Sequence, residues 1–432
     1  MTALVHQQTV SRAVPVQQIV SPRGVKAWLV EDYAVPLVSI EFALKGGAAQ
    51  DPPGKAGAAT LLAGLLDEGA GPLDSQAFHR ALDEKAVEIS FSSDRDHISG
   101  RMRSLIRNLD RAAELLRLAV NEPRFDEEPF VRVREHFNAT LRREAKDPSS
   151  LAWRTWRART FPNHPYGAPA RGTLESLAAM ERADIVALAK RLIARGALHV
   201  AIVGALDAAR ATKLLDHVFA DLAPESVLTP VADIEPAGLG GIEIVDLDVP
   251  QSTIRYGRPG IKRHDPDRMT AIVLTHILGG GTGLSSRLFR EVREKRGLAY
   301  SVDASLAALD HAAFLHGGTS TKNERAKESL DVIRNEILDL AESGPNEDEL
   351  EKGKKYLVGS YALRFDTSAK IAGQLVHIQM DGYGPEWLVE RNRQIEAVTA
   401  AEAKRVARRL FGDGALSVVA VGRPAGLHVP TA

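Results

Sequence analysis

The feature that most restricts the fold of this chain is an internal repeat. The segments Arg111–Phe137 and Ala326–Leu357 share one order, namely an amphipathic helix, a break that contains proline, and a helix with an acidic start. Similar strand-like segments and helices precede each copy. A unit that recurs in this way is expected to fold as one structural module in each half of the chain. Two unrelated α+β domains are the alternative that the pattern alone leaves open.

Each half begins with strand-like segments and continues into helices. In the first half, apolar residues alternate or run together over Ala27–Val30 and Pro36–Leu44, and a helix is predicted over Gly57–Glu68. In the second half, a strand over Ile242–Leu247 and a helix over Ser286–Lys295 are predicted. This order favours an α+β fold of two homologous domains, each a mixed, mainly antiparallel β-sheet with helices packed on one face.

The length of the chain also indicates two domains. Its 432 residues, of which 44% are hydrophobic, exceed what one hydrophobic core normally organises. The segment Pro224–Gly241 contains three prolines and several glycines without a period, which is typical of a linker. The sequence therefore predicts an N-terminal domain over residues 1–226 and a C-terminal domain over residues 242–432.

Charge and composition exclude several classes of function. Lys and Arg number 55 against 56 for Asp and Glu, and they are spread along the chain, so no field favours nucleic acid. No stretch approaches the roughly 20 apolar residues that cross a bilayer. The start lacks the layout of a secretory signal, so a cytoplasmic location is expected for the sequence as it stands, or a periplasmic one if a signal was removed. The absence of Cys excludes disulfides and thiolate zinc sites.

Residues near the start of the chain resemble a known family. Val35–Val38, the pair Gly46-Gly47 and Asp51 precede a Gly- and Leu-rich segment that ends in Glu68-Gly69. This order is similar to the N-terminal domain of the pitrilysin and mitochondrial processing peptidase family of zinc metallopeptidases, and the resemblance spans almost the whole chain. The family carries an inverted zinc motif, His-x-x-Glu-His, on its first helix, and a third ligand, Glu, about 76 residues further on.

The resemblance implies that the zinc motif is degenerate here. With the first helix aligned at its two ends, Thr60 and Gly64 stand where the two imidazoles would be, and Ala63 stands where the catalytic carboxylate would be. Thr140, which lies 76 residues after Gly64, takes the place of the third ligand. None of these four side chains is able to serve as a zinc ligand of the family's kind. No metal or other cofactor is therefore expected in this chain, and zinc is expected in a partner subunit.

The remaining histidines and carboxylates do not form a recognisable metal motif. The thirteen His include no i, i+4 pair, and His311 and His316 are five residues apart in a region predicted to be two strands. Asp67 and Glu68 could bind a cation if His79 lay close to them in the fold. A homodimeric enzyme with an unrecognised metal site stays open as an alternative, and it predicts stoichiometric bound zinc.

The second half resembles the family's C-terminal signature. The string runs from a glycine-rich loop through Ser-Arg-Leu-Phe289 to Arg293 and Gly297-Leu-Ala-Tyr300. In the family, an Arg and a Tyr seven residues apart hold the substrate backbone and stabilise the tetrahedral oxyanion at the zinc site. The resemblance implies that Arg293 and Tyr300 do so in a partner's active site. It also implies a substrate-binding role for the loop glycines Gly279, Gly280, Gly281 and Gly283.

The spacing of Arg293 and Tyr300 is compatible with this role. Arg293 would lie near the end of a helix stopped by Gly297, and Tyr300 near the start of the following strand, so that both reach one rim. Guanidinium and phenol groups donate hydrogen bonds to developing negative charge. The alternative places Arg293 on a solvated basic face with Arg290 and Arg296, and packs Tyr300 into a sheet.

A group of aromatic residues follows the predicted helices of the first half. Trp153 and Trp156 lie close together in the chain, and Phe161 and Tyr166 follow them. Large aromatic side chains at such spacing are more often part of a core than of a ligand site. The sequence therefore predicts core positions, with a ligand-binding box as the alternative.

These observations predict the non-catalytic subunit of a two-subunit zinc metallopeptidase. The expected partner is a homologous subunit that bears His-x-x-Glu-His, and the expected substrates are unfolded peptides, which would add as an extra strand to an exposed sheet edge. A scaffold or peptide-binding protein of the same fold, with no catalytic role, is the alternative. The sequence does not specify the substrate or the cleavage preference.

Overall fold

The first half of the chain forms a six-stranded sheet. The computed structural model describes residues 14–280 and 286–428. The strands are β1 Gln17–Val20, β2 Lys26–Glu31, β3 Leu37–Lys45, β4 Glu88–Ser93, β5 His97–Leu105 and β6 Leu198–Gly204. They lie in the order β1-β2-β6-β3-β5-β4, so that β1 and β4 are the edges. The pair β2 and β6 is parallel, and the other pairs are antiparallel.

Both faces of this sheet are apolar. In β2, Leu29 faces the helices of the first half, whereas Trp28 and Val30 face the opposite side. In β3, Phe42 faces the helices of the first half and Ala43 faces the opposite side. Because successive side chains of a strand point to opposite faces, a sheet that is buried on both faces needs apolar residues at nearly every strand position.

The first half of the chain contains eight α-helices within the described residues. They are α1 Ala58–Ala63, α2 Ser75–Lys85, α3 Leu109–Asn121, α4 Glu127–Glu144, α5 Pro148–Thr160, α6 Leu174–Ala178, α7 Arg182–Leu192 and α8 Ala208–Phe219. Capping side chains fix several starts, as where Asp74 accepts a hydrogen bond from the Ala77 N–H at 2.8 Å at the start of α2. Apolar faces of α1, α3, α7 and α8 contribute to one core with the sheet.

The second half builds a smaller sheet of the same kind. Its strands are β7 Ile242–Val245, β8 Gln251–Pro259, β9 Ala299–Ala308, β10 Ala313–Lys322 and β11 Ser417–Val421, in the order β7-β11-β8-β10-β9. Its α-helices are α9 Arg268–Gly279, α10 Ala326–Ser343, α11 Glu347–Gly359, α12 Ser368–Met380, α13 Trp387–Glu396 and α14 Ala400–Phe411. A π-helix spans Phe289–Glu294. Again one strand pair, β7 with β11, is parallel.

The predicted fold class is confirmed. Each half contains a mixed, mainly antiparallel sheet with helices on one face. The two helix pairs that the sequence repeat matched are α3 with α4 and α10 with α11. Each pair follows the long antiparallel strands of its own sheet, which agrees with two copies of one structural unit.

The second face of each sheet is covered by a helix from the other half, which the sequence did not predict. Helix α5 packs on β8 and β11 of the second sheet, and helix α12 packs on β3 and β6 of the first. In the first of these layers, Trp156, Phe161 and Tyr166 are buried, as the core interpretation predicted. The two halves are therefore joined by two reciprocal apolar layers.

The proline-containing segment between the halves is tied to both of them. Gln50 and Thr229 exchange two hydrogen bonds of 2.7 and 2.9 Å, and the Ile234 N–H donates to the His311 carbonyl at 2.9 Å. These contacts restrict the conformations that the linker is able to adopt. The domain limits at residues 226 and 242 stay a prediction, because α5 and α12 cross between the sheets.

Within the described ranges, no helix is both long enough and apolar enough to cross a membrane.

His316 is a half-buried neutral group in the layer under α5. Its ring centroid lies 5.1 Å from that of Trp153 and 5.5 Å from that of Phe314, and its Nδ1 has no hydrogen-bond partner in the described structure. Burial, together with the charges of Arg255 and Arg157, lowers its pKa from 6.5 to about 4. The folded protein therefore resists protonation of this imidazole.

Acidification is expected to destabilise the fold through His316. Between pH 6.5 and about 4 the unfolded chain binds a proton at this residue and the folded chain does not, so the stability that this group contributes is lost as the pH falls. The loss approaches about 3 kcal/mol when the pH reaches the folded pKa. The free energy of unfolding in urea is measured for the wild type and for His316→Gln at pH 7 and at pH 4.5. We expect it to fall more between the two pH values in the wild type than in the variant. An equal fall in both proteins would contradict the assignment.

Candidate functional site

A cavity of about 660 Å³ lies where the sequence placed the degenerate metal site. Its wall is formed by α1, the edge strand β4, the helices α4 and α5, and the loop at residues 167–172. Thr60, Ala63 and Gly64 all belong to this wall. The three positions that the resemblance aligns with the zinc motif therefore border one cavity.

Asp51 fixes the position of α1 at the cavity. Its Oδ2 accepts a hydrogen bond from the Gly57 N–H, and its Oδ1 accepts one from the Ala59 N–H, both at 2.7 Å. The first N–H groups of a helix have no partner within the helix, so this carboxylate stabilises the start of α1. It also determines how Thr60 and Ala63 face the cavity.

Helix α1 is shorter than the predicted helix over Gly57–Glu68, so that prediction was wrong in extent. The helix ends at Ala63, and a turn follows. Glycine at position 64 lowers helix propensity by about 1 kcal/mol relative to alanine. Helix α4 approaches this position closely, since a Cβ at Gly64 would be in van der Waals contact, at 3.4 Å, with side-chain atoms of Phe137 and Val133.

The four degenerate positions do not all meet at the cavity. The Thr60 hydroxyl donates to the Ala170 carbonyl at 2.7 Å, Ala63 presents a methyl group, and Gly64 has no side chain. Thr140 lies on α4 outside the wall, and its hydroxyl accepts a hydrogen bond from Arg143 at 3.2 Å. None of these groups is held in a metal-binding arrangement.

The chemistry of the wall does not fit a zinc ion. Zinc requires imidazole, thiolate or carboxylate ligands. Glu144 is the one carboxylate in the described wall, it forms an ion pair with Arg171, and no histidine belongs to that wall. Nowhere in residues 14–280 and 286–428 do three His, Asp or Glu side chains converge to hold a metal ion.

Asp67, Glu68 and His79 come close together, and Glu68 is already engaged. Glu68 accepts hydrogen bonds of 2.6 Å from Arg132 and from the Ser75 hydroxyl, and the His79 Nε2 lies 3.5 Å from the same carboxylate. Burial raises the pKa of Glu68, but these hydrogen bonds outweigh it and hold the pKa below its usual value. The arrangement is a salt-bridge cluster that stabilises the protein.

Sequence reasoning missed the basic side chains of the cavity. Arg95, Arg154, Arg157 and Arg171 all belong to its wall. They come from a strand turn, one helix and a loop, so no local motif indicates that they meet. The repeated Trp-Arg dipeptides at 153–154 and 156–157 are the one local sign, and they place two arginines beside the cavity.

Arg293 and Tyr300 lie together on the surface of the second half. The Arg293 guanidinium is 4.7 Å from the ring centre of Phe289 and 4.8 Å from that of Tyr300. Arg293 lies in the π-helix, within the helix that was predicted over Ser286–Lys295, and Tyr300 is the second residue of β9. The Tyr300 side chain is 83% exposed, so it does not pack into the sheet as the alternative supposed.

The neighbouring arginines Arg290 and Arg296 are paired with carboxylates, whereas Arg293 is not. Arg296 donates to the Glu291 carboxylate at 2.7 Å, and Arg290 approaches Glu349 at 3.4 Å. The Arg293 guanidinium has no hydrogen bond or ion pair with any described residue, and it lies over the rings of Phe289 and Tyr300. Among these three arginines, Arg293 thus has its donors available to a ligand.

The Arg293–Tyr300 pair does not belong to the described wall of the cavity. The glycine-rich loop is described in part, since Gly281 and Gly283 lie outside the described residues. At Gly279 a Cβ would lie 2.8 Å from the Ala304 N, and the Gly280 N–H donates to the Thr275 carbonyl at 3.0 Å. These two glycines therefore allow close packing at the end of α9, and their role in substrate binding stays a prediction.

Comparison with known proteins gives consistent similarities. A family model described as the peptidase M16 inactive domain matches residues 179–357. The non-peptidase homologue YmxG of Helicobacter pylori is 26% identical over 85% of this chain and 82% of its own length. An uncharacterised zinc protease of Mycobacterium tuberculosis is 28% identical over 82% of each chain.

Solved structures share the fold over nearly the whole chain. The crystal structure of a peptidase M16 inactive domain from Pseudomonas fluorescens has a TM-score of 0.89 at 25% identity, and it covers 96% of this chain and 100% of its own. A protease from Helicobacter pylori has a TM-score of 0.85 at 18% identity, over 94% and 99% of the two chains, which shows the fold alone.

Proposed function

Because this chain belongs to the M16 peptidase family, that of pitrilysin and the mitochondrial processing peptidases, as an inactive member, we propose that it is the non-catalytic subunit of a two-subunit zinc metallopeptidase. A homologous partner that bears His-x-x-Glu-His supplies the zinc, the general base and the attacking water. This chain supplies Arg293 and Tyr300 and part of the surface that holds the peptide.

One observation carries the proposal. The half-buried Arg293 and the exposed Tyr300 form a surface pair with available donors, and neither belongs to the wall of the cavity in their own chain. Donors that stabilise an oxyanion act only within hydrogen-bond distance of the reacting atoms. The pair is therefore suited to an active site that another subunit completes.

Peptide binding is supported by the sheet edges. The strand β4 is an edge of the first sheet, and Phe91, Ser92 and Ser93 of this strand border the cavity. The outward N–H and C=O groups of an edge strand have no partner in the sheet, and an extended peptide satisfies them when it adds as another strand. Unfolded peptides are the class of substrate that is able to bind in this way.

The proposal predicts complementation. Hydrolysis of a labelled unfolded casein is measured for this chain alone, for the homologous partner alone, and for the equimolar mixture. We expect activity to be confined to the mixture, because the partner holds the metal chemistry and this chain holds the oxyanion donors. Removal of zinc with a chelator before mixing is expected to abolish the activity.

Two results would contradict the proposal. Hydrolysis by this chain alone, together with stoichiometric zinc in elemental analysis, indicates a homodimeric enzyme with a metal site of its own. Full activity of the partner alone, unchanged by mixing, indicates that this chain is a scaffold or a peptide-binding protein. A mixture with an unrelated protein of similar size controls for non-specific stabilisation of the partner.

A further inference from the structure

Arg157 is a buried cation in the wall of the cavity. Its side chain is 6% exposed, its Nε donates to the Tyr166 carbonyl at 2.9 Å, and its Nη2 has no hydrogen-bond partner in the described structure. The guanidinium lies 5.5 Å from the ring centre of Trp153 and 5.4 Å from that of Phe161. Burial and the neighbouring Arg95 lower the pKa of Arg157 to about 9, so it remains charged at neutral pH.

The other basic groups give the wall of the cavity an excess of positive charge. Arg95 donates to the main-chain carbonyls of Pro165 and Ala168, which carry no charge. Arg154 is exposed and makes no hydrogen bond or ion pair with a described residue. Arg171 alone is paired, with Glu144. Four guanidinium groups thus face one carboxylate.

A buried charge without a counter-charge is costly. Removal of a charge from water is offset only by close, hydrogen-bonded partners of opposite sign. No carboxylate of the described residues lies within ion-pair distance of Arg157 or Arg95, although Asp96 acts on both from further away and Asp51 and Asp94 act on Arg95. An anion in the cavity would remove this deficit, and guanidinium groups bind carboxylates through paired, charge-assisted hydrogen bonds.

The cavity is large and partly apolar, which indicates an organic anion. Its volume of about 660 Å³ lies in the range of pockets that hold small organic molecules. Phe91, Phe137, Leu141 and Trp153 supply apolar surface to the wall. An inorganic ion would leave most of this surface without contacts. A carboxylate that is attached to a peptide would use both parts of the wall.

The edge strand β4 supplies a route for such a peptide. Phe91, Ser92 and Ser93 belong both to this edge strand and to the wall of the cavity. A chain that pairs with the outer side of β4 therefore runs along the mouth of the cavity. Its side chains or its carboxyl end are then within reach of the arginines.

We propose that the cavity in the place of the metal site binds a carboxylate group of the peptide substrate, through Arg157, Arg95 and Arg154. The inference rests on the proposed binding of peptides and specifies their chemistry. The carboxylate comes from an acidic side chain or from the carboxyl terminus of the peptide. In this subunit a positive site for a substrate anion thus replaces the metal cation.

Peptide binding to the isolated chain tests the inference. Three short unfolded peptides share one sequence: an acetylated and amidated peptide without ionisable side chains, the same peptide with one Gln replaced by Glu, and the same peptide with a free carboxyl terminus. Calorimetric titration measures affinity, and tryptophan fluorescence reports on Trp153 in the wall. We expect one or both carboxylate peptides to bind at least about tenfold more tightly than the neutral peptide.

Two variants make the test specific. Arg154→Gln removes an exposed guanidinium of the wall and is expected to reduce the preference for a carboxylate several-fold without affecting folding. Arg157→Gln is expected to abolish the preference, and its folding is checked by circular dichroism. Arg142→Gln is the matched control, because Arg142 is exposed on α4 beside Leu141 but lies outside the wall. The preference is also expected to fall at high ionic strength.

Every outcome decides the inference. Preference for either carboxylate peptide supports it and identifies the source of the carboxylate. Equal affinity for all three peptides, or a preference that Arg154→Gln leaves unchanged in a folded protein, overturns it. Because these titrations use neither the partner nor hydrolysis, they are independent of the complementation assay. Failure of one experiment is therefore distinguishable from failure of the other.

Discussion

Replacement of Tyr300 by phenylalanine, or of Arg293 by alanine, is expected to lower the kcat of the reconstituted pair by about 10²- to 10³-fold, the usual effect of losing one oxyanion donor. Tyr300→Phe is the sharper change, because the ring that contacts Arg293 at 4.8 Å is kept and only the hydroxyl is lost. Assembly of the two subunits should change little. Steady-state kinetics of the mixture and analytical ultracentrifugation measure the two quantities separately.

The matched control for this prediction is Tyr33→Phe. Tyr33 is also an exposed phenol, at 62% exposure, but it lies beyond the end of β2 and donates its hydroxyl to Glu31. Its replacement should leave kcat unchanged. If Arg293→Ala and Tyr300→Phe both give full turnover, the pair has no part in catalysis and the scaffold alternative gains support.

Replacement of Trp156 by alanine is expected to destabilise the protein by about 3–5 kcal/mol, the cost of a large cavity in a core. Trp156 is fully buried between α5 and the second sheet, and its indole N–H donates to the Ser417 carbonyl at 3.1 Å. Strand β8 packs closely against the ring, since a Cβ at Gly257 would lie 2.3 Å from it. Urea denaturation, followed by circular dichroism, measures the loss.

Trp156→Phe separates packing from hydrogen bonding. Phenylalanine keeps most of the contact with Phe314, whose ring centre is 5.6 Å from that of the indole, but leaves the Ser417 carbonyl without its donor. The expected loss is about 1–3 kcal/mol, the cost of an unsatisfied buried group. A stability of Trp156→Ala within about 1 kcal/mol of the wild type would show that α5 does not hold the two halves together.

Much of the fold follows from short-range patterns in the sequence. The strands at Lys26–Glu31 and Leu37–Lys45 were predicted within one residue at each end, because apolar runs bounded by turn residues are local signals. The helix pairs of the internal repeat were predicted for the same reason. Thr60, Ala63 and Gly64, which the family resemblance aligns with the zinc motif, lie on one wall of the cavity, and their assignment as degenerate metal positions stays a prediction.

The features that the sequence did not reveal depend on contacts between distant segments. Arg95 and Arg157 meet only because a strand turn and α5 pack at the same cavity. Periodicity identifies which residues are apolar, but it does not say which sheet a helix will cover, so the placement of α5 and α12 had no local signal.

The exchange of α5 and α12 has a consequence for synthesis on the ribosome. The strands of the first sheet emerge well before Ser368–Met380, the helix that covers the face bearing Trp28 and Val30. Until that helix arrives, an apolar sheet face is in contact with water, and such surfaces bind chaperones and promote association of nascent chains. Translation that stops before this helix would therefore release a fragment that is prone to aggregate. The apolar face of the first sheet is covered only when nearly all of the chain has been made.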